Sequence, residues 1–168
     1  LAGDASLPPE RMLAAAACLA RAAGAKGMVG GQALDMAAEG RSLAPSELEG
    51  VQALKTGALI SAAAEMGCIV AGGSDTERAA VRRYAQKLGL AFQIRDDMLD
   101  VMGNEQTLGK SVGSDSANEK TTFYSLKGLN GCRELIHQLT QEAEEALSIF
   151  EGREFLCWLA DELAGREK

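Results

Sequence analysis

Histidine, aromatic residues and positive charge are all scarce in this chain, and each scarcity closes off a class of function. His137 is the one histidine, which removes His-rich zinc sites and a Ser-His-Asp triad, and its polar amphipathic surroundings read as a surface position. Aromatic residues make up 4% of the sequence and no segment alternates with period two, so strand signals are negligible. Lysine and arginine number 17 against 24 acidic residues, a net charge of −7. No basic stripe is present to neutralise a phosphate backbone, which excludes nucleic acid as a partner. Cys18, Cys68, Cys132 and Cys157 lie far apart with no CxxC spacing and read as free thiols of a reducing cytosol. No apolar run reads as long enough to span a bilayer and no signal-peptide pattern opens the chain. With a mean hydropathy of −0.06, a soluble, cytoplasmic protein is expected.

What is present points to helices throughout. At 168 residues and 46% hydrophobic content, the chain is long enough for a single helical domain with a core, spanning 1–168. One helix is predicted from about Glu10 to Glu39, begun by Pro8-Pro9 and stopped by Gly40, with Gly27, Gly30 and Gly31 inside it. Pro45 opens a second, which runs through Lys55-Thr56 to Ala71 and ends at Gly72-Gly73. Ser74 and Glu77 form a capping box for a third, which ends near Gly103. A glycine-punctuated polar loop follows to Lys120, then one or two turns over 121–126, a break at Asn130-Gly131, and final helices over 132–150 and 153–164. The fold class is an all-α bundle.

Within the third helix lies Asp96-Asp97-Met98-Leu99-Asp100, three carboxylates at i, i+1 and i+4 in an otherwise apolar stretch. Gly89, Gln93, Asp96 and Asp100 fall on one stripe, with Asp97 at its edge and Leu90, Ile94 and Met98 nearly opposite. Aspartates are poor helix formers and like charges one turn apart repel, a cost of about 1 kcal/mol or more. A solvated face would show interleaved lysines. A hard divalent cation offsets the cost instead, so the motif reads as a magnesium site: Mg2+ takes one or two carboxylates, keeps waters, and completes its shell with substrate phosphate oxygens. Lys110 and Lys120, in the long loop, are placed to close over such phosphates.

Two further groups suggest a ligand cavity. Gln32 and Asp35 share a helix face beside Gly30-Gly31, whose lack of side chains admits a close backbone neighbour; plain helix packing and a ligand role both fit them. Lys55-Thr56 stands where a mixed helix turns to small apolar residues, and a lysine snorkelling to solvent is its structural alternative.

Taken in order, Leu1-Ala2-Gly3-Asp4-Ala5, 27–35 (GMVGGQALD), 55–60 (KTGALI), 89–101 (GLAFQIRDDMLDV) and Leu108-Gly109-Lys110 resemble the trans-isoprenyl diphosphate synthases, the polyprenyl synthetase family. The likeness is greatest to the short-chain, farnesyl diphosphate synthase type of bacteria. It implies the C-terminal part of an isoprenoid synthase-type bundle, with Asp96-Asp97-Met98-Leu99-Asp100 as the family's second aspartate-rich motif. The implied reaction joins isopentenyl diphosphate to dimethylallyl or geranyl diphosphate, through Mg2+-assisted ionisation, condensation and proton loss. By the same resemblance Asp96 and Asp100 ligate Mg2+ with Asp97 supporting them. Lys55, Lys110 and Lys120 contact diphosphate, Thr56 and Gln93 turn oxygens toward the developing cation, and Gln32 and Asp35 shape the cavity wall. A homodimer is expected.

The first aspartate-rich motif and the isopentenyl diphosphate site of this family are not among these residues, so the 168 residues alone are expected not to turn over. The family usually continues after Gly3-Asp4-Ala5 with a long apolar helix, whereas Ser6-Leu7-Pro8-Pro9 follows here; the Ala5–Ser6 join is read as a place where residues are missing. Three rival readings have distinct signatures. A catalytically silent subunit of a heteromeric synthase has no need of intact Asp96, Asp97, Asp100 and Lys55-Thr56. A terpene cyclase needs more aromatics around a roaming cation, and a plain helical interaction module would not bind a diphosphate through Mg2+. A synthase making a longer product, such as geranylgeranyl diphosphate, shares every motif.

Overall fold

The computed structural model describes residues 6–108 and 121–166. Residues 1–5, with the Ala5–Ser6 join, and Lys110 and Lys120 lie outside the described residues. Every regular element described is helical: α1 (Pro9–Ala23), α2 (Met28–Ala37), α3 (Pro45–Gln52), a π-helical segment (Ala53–Gly57), α4 (Ala58–Ala71), α5 (Asp75–Leu108), α6 (Phe123–Ala146) and α7 (Glu154–Gly165). The expected all-α class is what the chain forms.

The single first helix of the sequence reading is two helices. The chain leaves α1 at Gly24 and re-enters a helix after Gly27. A side chain at Gly27 would stand 2.0 Å from the carbonyl oxygen of Ala22, so only glycine fits this tight corner. The second predicted helix holds from Pro45 to Ala71, and its middle turn widens into the π-helical segment, a departure no residue pattern announces. The capping box that opens α5 is formed: the Ser74 amide donates to Glu77 Oε2 at 2.7 Å, and the Glu77 amide donates to Ser74 Oγ. α5 runs past the expected stop at Gly103 to Leu108. The break expected at Asn130-Gly131 falls at Gly128, whose φ of 65° kinks α6. That helix ends at Ala146 rather than Phe150.

Three apolar clusters lock these helices. Ala15 and Cys18 of α1 pack on Ala62 and Ile69 of α4. Tyr84, Ala85 and Leu88 of α5 meet Ala143, Leu147 and Ala160. Ile94 and Met98, both fully buried on α5, pack with Phe123, Cys132, Ile136 and Leu139 of α6 and with Leu48 of α3. This last cluster is the apolar stripe read opposite the aspartates, and it fixes the rotation of α5 that aims them. Burial of each such side chain contributes roughly 1.5–3 kcal/mol. The four thiols are free, as expected.

One expectation needs correcting. Pro9–Ala37 and Pro45–Ala71 are each long and apolar enough, by length and composition, to cross a membrane. Alanine supplies much of the hydropathy of the first stretch, whereas in the second it comes mostly from Leu, Ile and Val residues scattered along the helix rather than gathered in one run. The first stretch is cut at Gly24–Gly27, and the second carries Lys55 against Asp35 and Glu65 against Arg78 and Arg82.

Candidate active site

The π-helical segment, α2 and α5 meet where the sequence placed its polar motifs. α2 approaches the segment closely because of Gly31. A Cβ there would sit 2.3 Å from the backbone nitrogen of Lys55, so the small residue seen in the sequence is a backbone contact. At this crossing Lys55 Nζ donates to Asp35 Oδ2 at 2.6 Å, and the Asp35 side chain is 8% exposed. Asp35 thus serves Lys55 directly. Gln32, one turn earlier on α2, is exposed.

A polar chain crosses from the segment to α5 and on to α6. Thr56 Oγ1 donates to Gln93 Oε1 at 3.1 Å, and Gln93 Nε2 donates to Asp97 Oδ1 at 3.3 Å. The Phe123 amide, at the start of α6, donates to Asp97 Oδ2 at 2.8 Å. Asp97 is 8% exposed. Burial pushes its carboxyl up from the usual range, the Phe123 and Gln93 hydrogen bonds oppose that, and the charges of Asp100 and Asp96 add to the upward push.

The three aspartates therefore divide. The helical stripe drawn from sequence groups Gln93 with Asp96 and Asp100 and puts Asp97 at the margin. In the structure Gln93 pairs with Asp97, one turn on, and Asp97 turns inward with both oxygens engaged by protein donors. Asp96 is half-buried and Asp100 exposed, one turn apart on α5. Among the described residues no three His, Cys, Asp or Glu side chains converge as a metal-holding group. Two carboxylates one turn apart, with hard oxygen donors, still suit Mg2+, which uses one or two protein carboxylates and takes its other ligands from water and phosphate, and at Asp96 the ion would take the place of the Arg166 guanidinium that pairs with it in this structure. The donor set fits through Asp96 and Asp100, with Asp97 holding the helix behind them.

Sequence reasoning missed Arg166. Its guanidinium pairs with Asp96 and lies 4.0 Å from the centroid of the Phe92 ring. Arg95 Nε holds the Arg166 carbonyl at 2.7 Å. Phe92 at i−4 from Asp96 was the available signal, since an aromatic beside a carboxylate suits a guanidinium, but nothing local names a partner about seventy positions away. A cleft of about 470 Å3 between α3, the π-helical segment and α5 is lined by Gln52, Leu54, Ser61, Gln86 and Leu90 among others. None of the sequence-predicted site residues among the described residues lines it, so it is not assigned to the chemistry.

This assembly has close counterparts among known proteins. The chain is 44% identical over 131 residues to farnesyl diphosphate synthase of Geobacillus stearothermophilus, covering 78% of this chain and 44% of that protein. It is 43% identical over 148 residues to geranylgeranyl pyrophosphate synthase 9, chloroplastic, of Arabidopsis thaliana, covering 85% and 41%. The solved structure of an FPP/GFPP synthase from Zymomonas mobilis superposes with a TM-score of 0.80 at 34% identity, covering 93% of this chain and 52% of that one. The chain thus spans about half the length of these relatives. The Polyprenyl synthetase family model matches residues 11–151, from α1 through α6, where Lys55, Thr56, Gln93 and the three aspartates all lie; the chain belongs to the polyprenyl synthetase family.

Proposed function

We propose that this chain supplies a metal- and diphosphate-binding wall for prenyl transfer, joining isopentenyl diphosphate to an allylic diphosphate, dimethylallyl or geranyl, with release of pyrophosphate. The observation that carries this reading is the hydrogen-bonded path from Thr56 through Gln93 to Asp97. It brings the lysine-threonine segment against the aspartate helix, as a site handling both a departing anion and a nascent cation requires. Asp96 and Asp100 would hold Mg2+, which when bound supplies positive charge to the leaving diphosphate. Lys55 adds a second cation from the opposite element, kept in place by Asp35. Lys110 and Lys120 are proposed as further diphosphate contacts. Thr56 and Gln93 offer oxygen toward the carbon from which the diphosphate departs. Gln32 stays a candidate for the cavity edge.

Farnesyl diphosphate is the product favoured by the bacterial relative, and the plant relative favours geranylgeranyl diphosphate as the second reading. Chromatography of the products of the active enzyme separates the two. A diphosphate clamped between metal ions needs a second acidic wall, so these 168 residues by themselves are proposed to bind and not to turn over. A homodimer is proposed on the family likeness.

The deciding experiment is calorimetric titration of the chain with a non-hydrolysable allylic diphosphate analogue, with and without Mg2+, beside Asp96→Ala. Binding that requires Mg2+ and is lost in the variant supports the reading. Binding indifferent to both Mg2+ and Asp96 overturns it.

A further inference from the structure

We propose that the carboxylate of Asp97 sets the direction of the Thr56 hydroxyl: through Gln93 it makes Thr56 donate its proton inward, so that Thr56 presents only oxygen lone pairs to a ligand. Asp97 is thereby a positioning residue. The use of this device rests on the prenyl-transfer reading above, whereas the geometry does not.

The inference follows from counting donors and acceptors. A carboxylate accepts and does not donate. Asp97 Oδ2 takes the Phe123 amide, and Asp97 Oδ1 faces the Gln93 side chain at 3.3 Å. Were Gln93 turned over, its carbonyl oxygen would confront the carboxylate, two acceptors with no proton between them in a buried site. Gln93 must therefore present its NH2 to Asp97, which leaves its Oε1 for Thr56. A carbonyl oxygen only accepts, so the hydroxyl proton of Thr56 is committed to that bond, and the rest of its hydrogen-bonding capacity is lone pairs. A hydroxyl so fixed lowers the energy of a nearby positive carbon; one with its proton turned outward raises it. The orientation is set before any ligand arrives, by a charge two side chains away.

Asp97→Asn tests this with little change in shape. The amide that replaces the carboxylate keeps the Phe123 bond through its oxygen and turns its NH2 to Gln93, which must then flip, present its own NH2 to Thr56 and release the hydroxyl proton outward. Nuclear Overhauser spectra of the labelled chain read the flip directly. In the wild type the Gln93 NH2 protons should show a stronger contact to the Phe123 amide than to the Thr56 methyl; in Asp97→Asn the methyl contact should gain on the other. A methyl contact that is already the stronger of the two in the wild type overturns the proposal, and this arm stands even if the variant does not fold.

The second arm reads the consequence. It compares the chain's affinities, with Mg2+, for an allylic diphosphate analogue bearing an ammonium in place of the cationic carbon and for its neutral isostere. The ratio of the two affinities should fall about tenfold against the cationic analogue in Asp97→Asn, whatever change the two affinities share. An unchanged preference in a folded variant overturns the positioning role. Failure of the wild type to bind either analogue would instead count against the prenyl-transfer reading, and the Gln93 contacts would remain readable.

Discussion

The ammonium of Lys55 rests 2.6 Å from Oδ2 of Asp35, joining the π-helical segment to α2 through a carboxylate that is nearly inaccessible to water. Removing the ammonium takes from a buried carboxylate the cation 2.6 Å away. Because the Lys55 side chain is 32% exposed, the loss is smaller than for a fully buried pair. Lys55→Met should destabilise the fold by about 2 kcal/mol, or about 4–8 °C in Tm. Adding Asp35→Asn should recover part of that loss, because the buried carboxylate that Lys55 neutralised is then uncharged. Thermal denaturation of the two variants checks this; an equal loss in both would show that the pair matters through packing alone.

Gly31 is where α2 and the π-helical segment touch. Gly31→Ala places a Cβ within 2.3 Å of the Lys55 backbone nitrogen and 2.7 Å of the Leu54 carbonyl carbon, and neither can move without its helix. A loss of about 2–3 kcal/mol is expected, together with weaker Mg2+-dependent diphosphate binding as Lys55 and Thr56 shift. Gly67→Ala, on α4 with nothing within 4 Å of the added carbon, is the control and should stabilise by about 0.5–1 kcal/mol through helix propensity. Urea midpoints of both variants decide it.

Glu65 is buried between Arg78 and Arg82, with Oε1 accepting from both and Oε2 accepting from Arg82 Nε at 3.1 Å. The Arg82 hydrogen bond above all, opposed by burial and aided by Arg78, holds its carboxyl below the ordinary glutamate range. A lowered folded-state value means stability that is fully present above the unfolded value of about 4.3 and disappears as pH falls through the folded one. The urea midpoint of the wild type should drop as pH falls below about 4.5. Glu65→Gln should start lower at pH 7 and lose less on acidification. Parallel slopes in the two proteins would contradict this.

Tyr84, 2% exposed on α5, donates its hydroxyl to the Leu156 carbonyl at 2.8 Å and so anchors α7. Burial foremost, with the nearby Cys157 charge, pushes its phenol up to about 12. A phenol raised in the folded state favours folding fully below the unfolded value of about 10, and that advantage is lost as pH rises through the folded value. Tyr84→Phe should therefore cost about 1–2 kcal/mol at pH 8 and lack that part of the alkaline decline. Denaturant titrations between pH 8 and pH 12 provide the comparison.

How far the site could be read beforehand differs from residue to residue. The pairing of Thr56 with Gln93 was within reach, because an ordered set of motifs in one family implies that they share a site. The inward turn of Asp97 was not. On a helical wheel Asp97 lies between the polar and apolar stripes, and only the arrival of Phe123 from 26 positions later chooses a side. Arg166 was likewise invisible, since its partners lie about seventy positions back.

The sequence by itself determined the all-helical class, the starts of α3 and α5, the apolar stripe of α5 and the identity of the polar residues that gather around it. These depend on propensities, caps and periodicities that act within a few residues along the chain. Only the tertiary structure decided where α1 ends and α2 begins, that the Lys55-Thr56 turn widens into a π-helical segment, and which aspartate turns to protein and which toward solvent. Those outcomes come from contacts between segments distant in sequence, where a missing Cβ or a single backbone amide selects among arrangements that local preferences leave nearly equal in free energy.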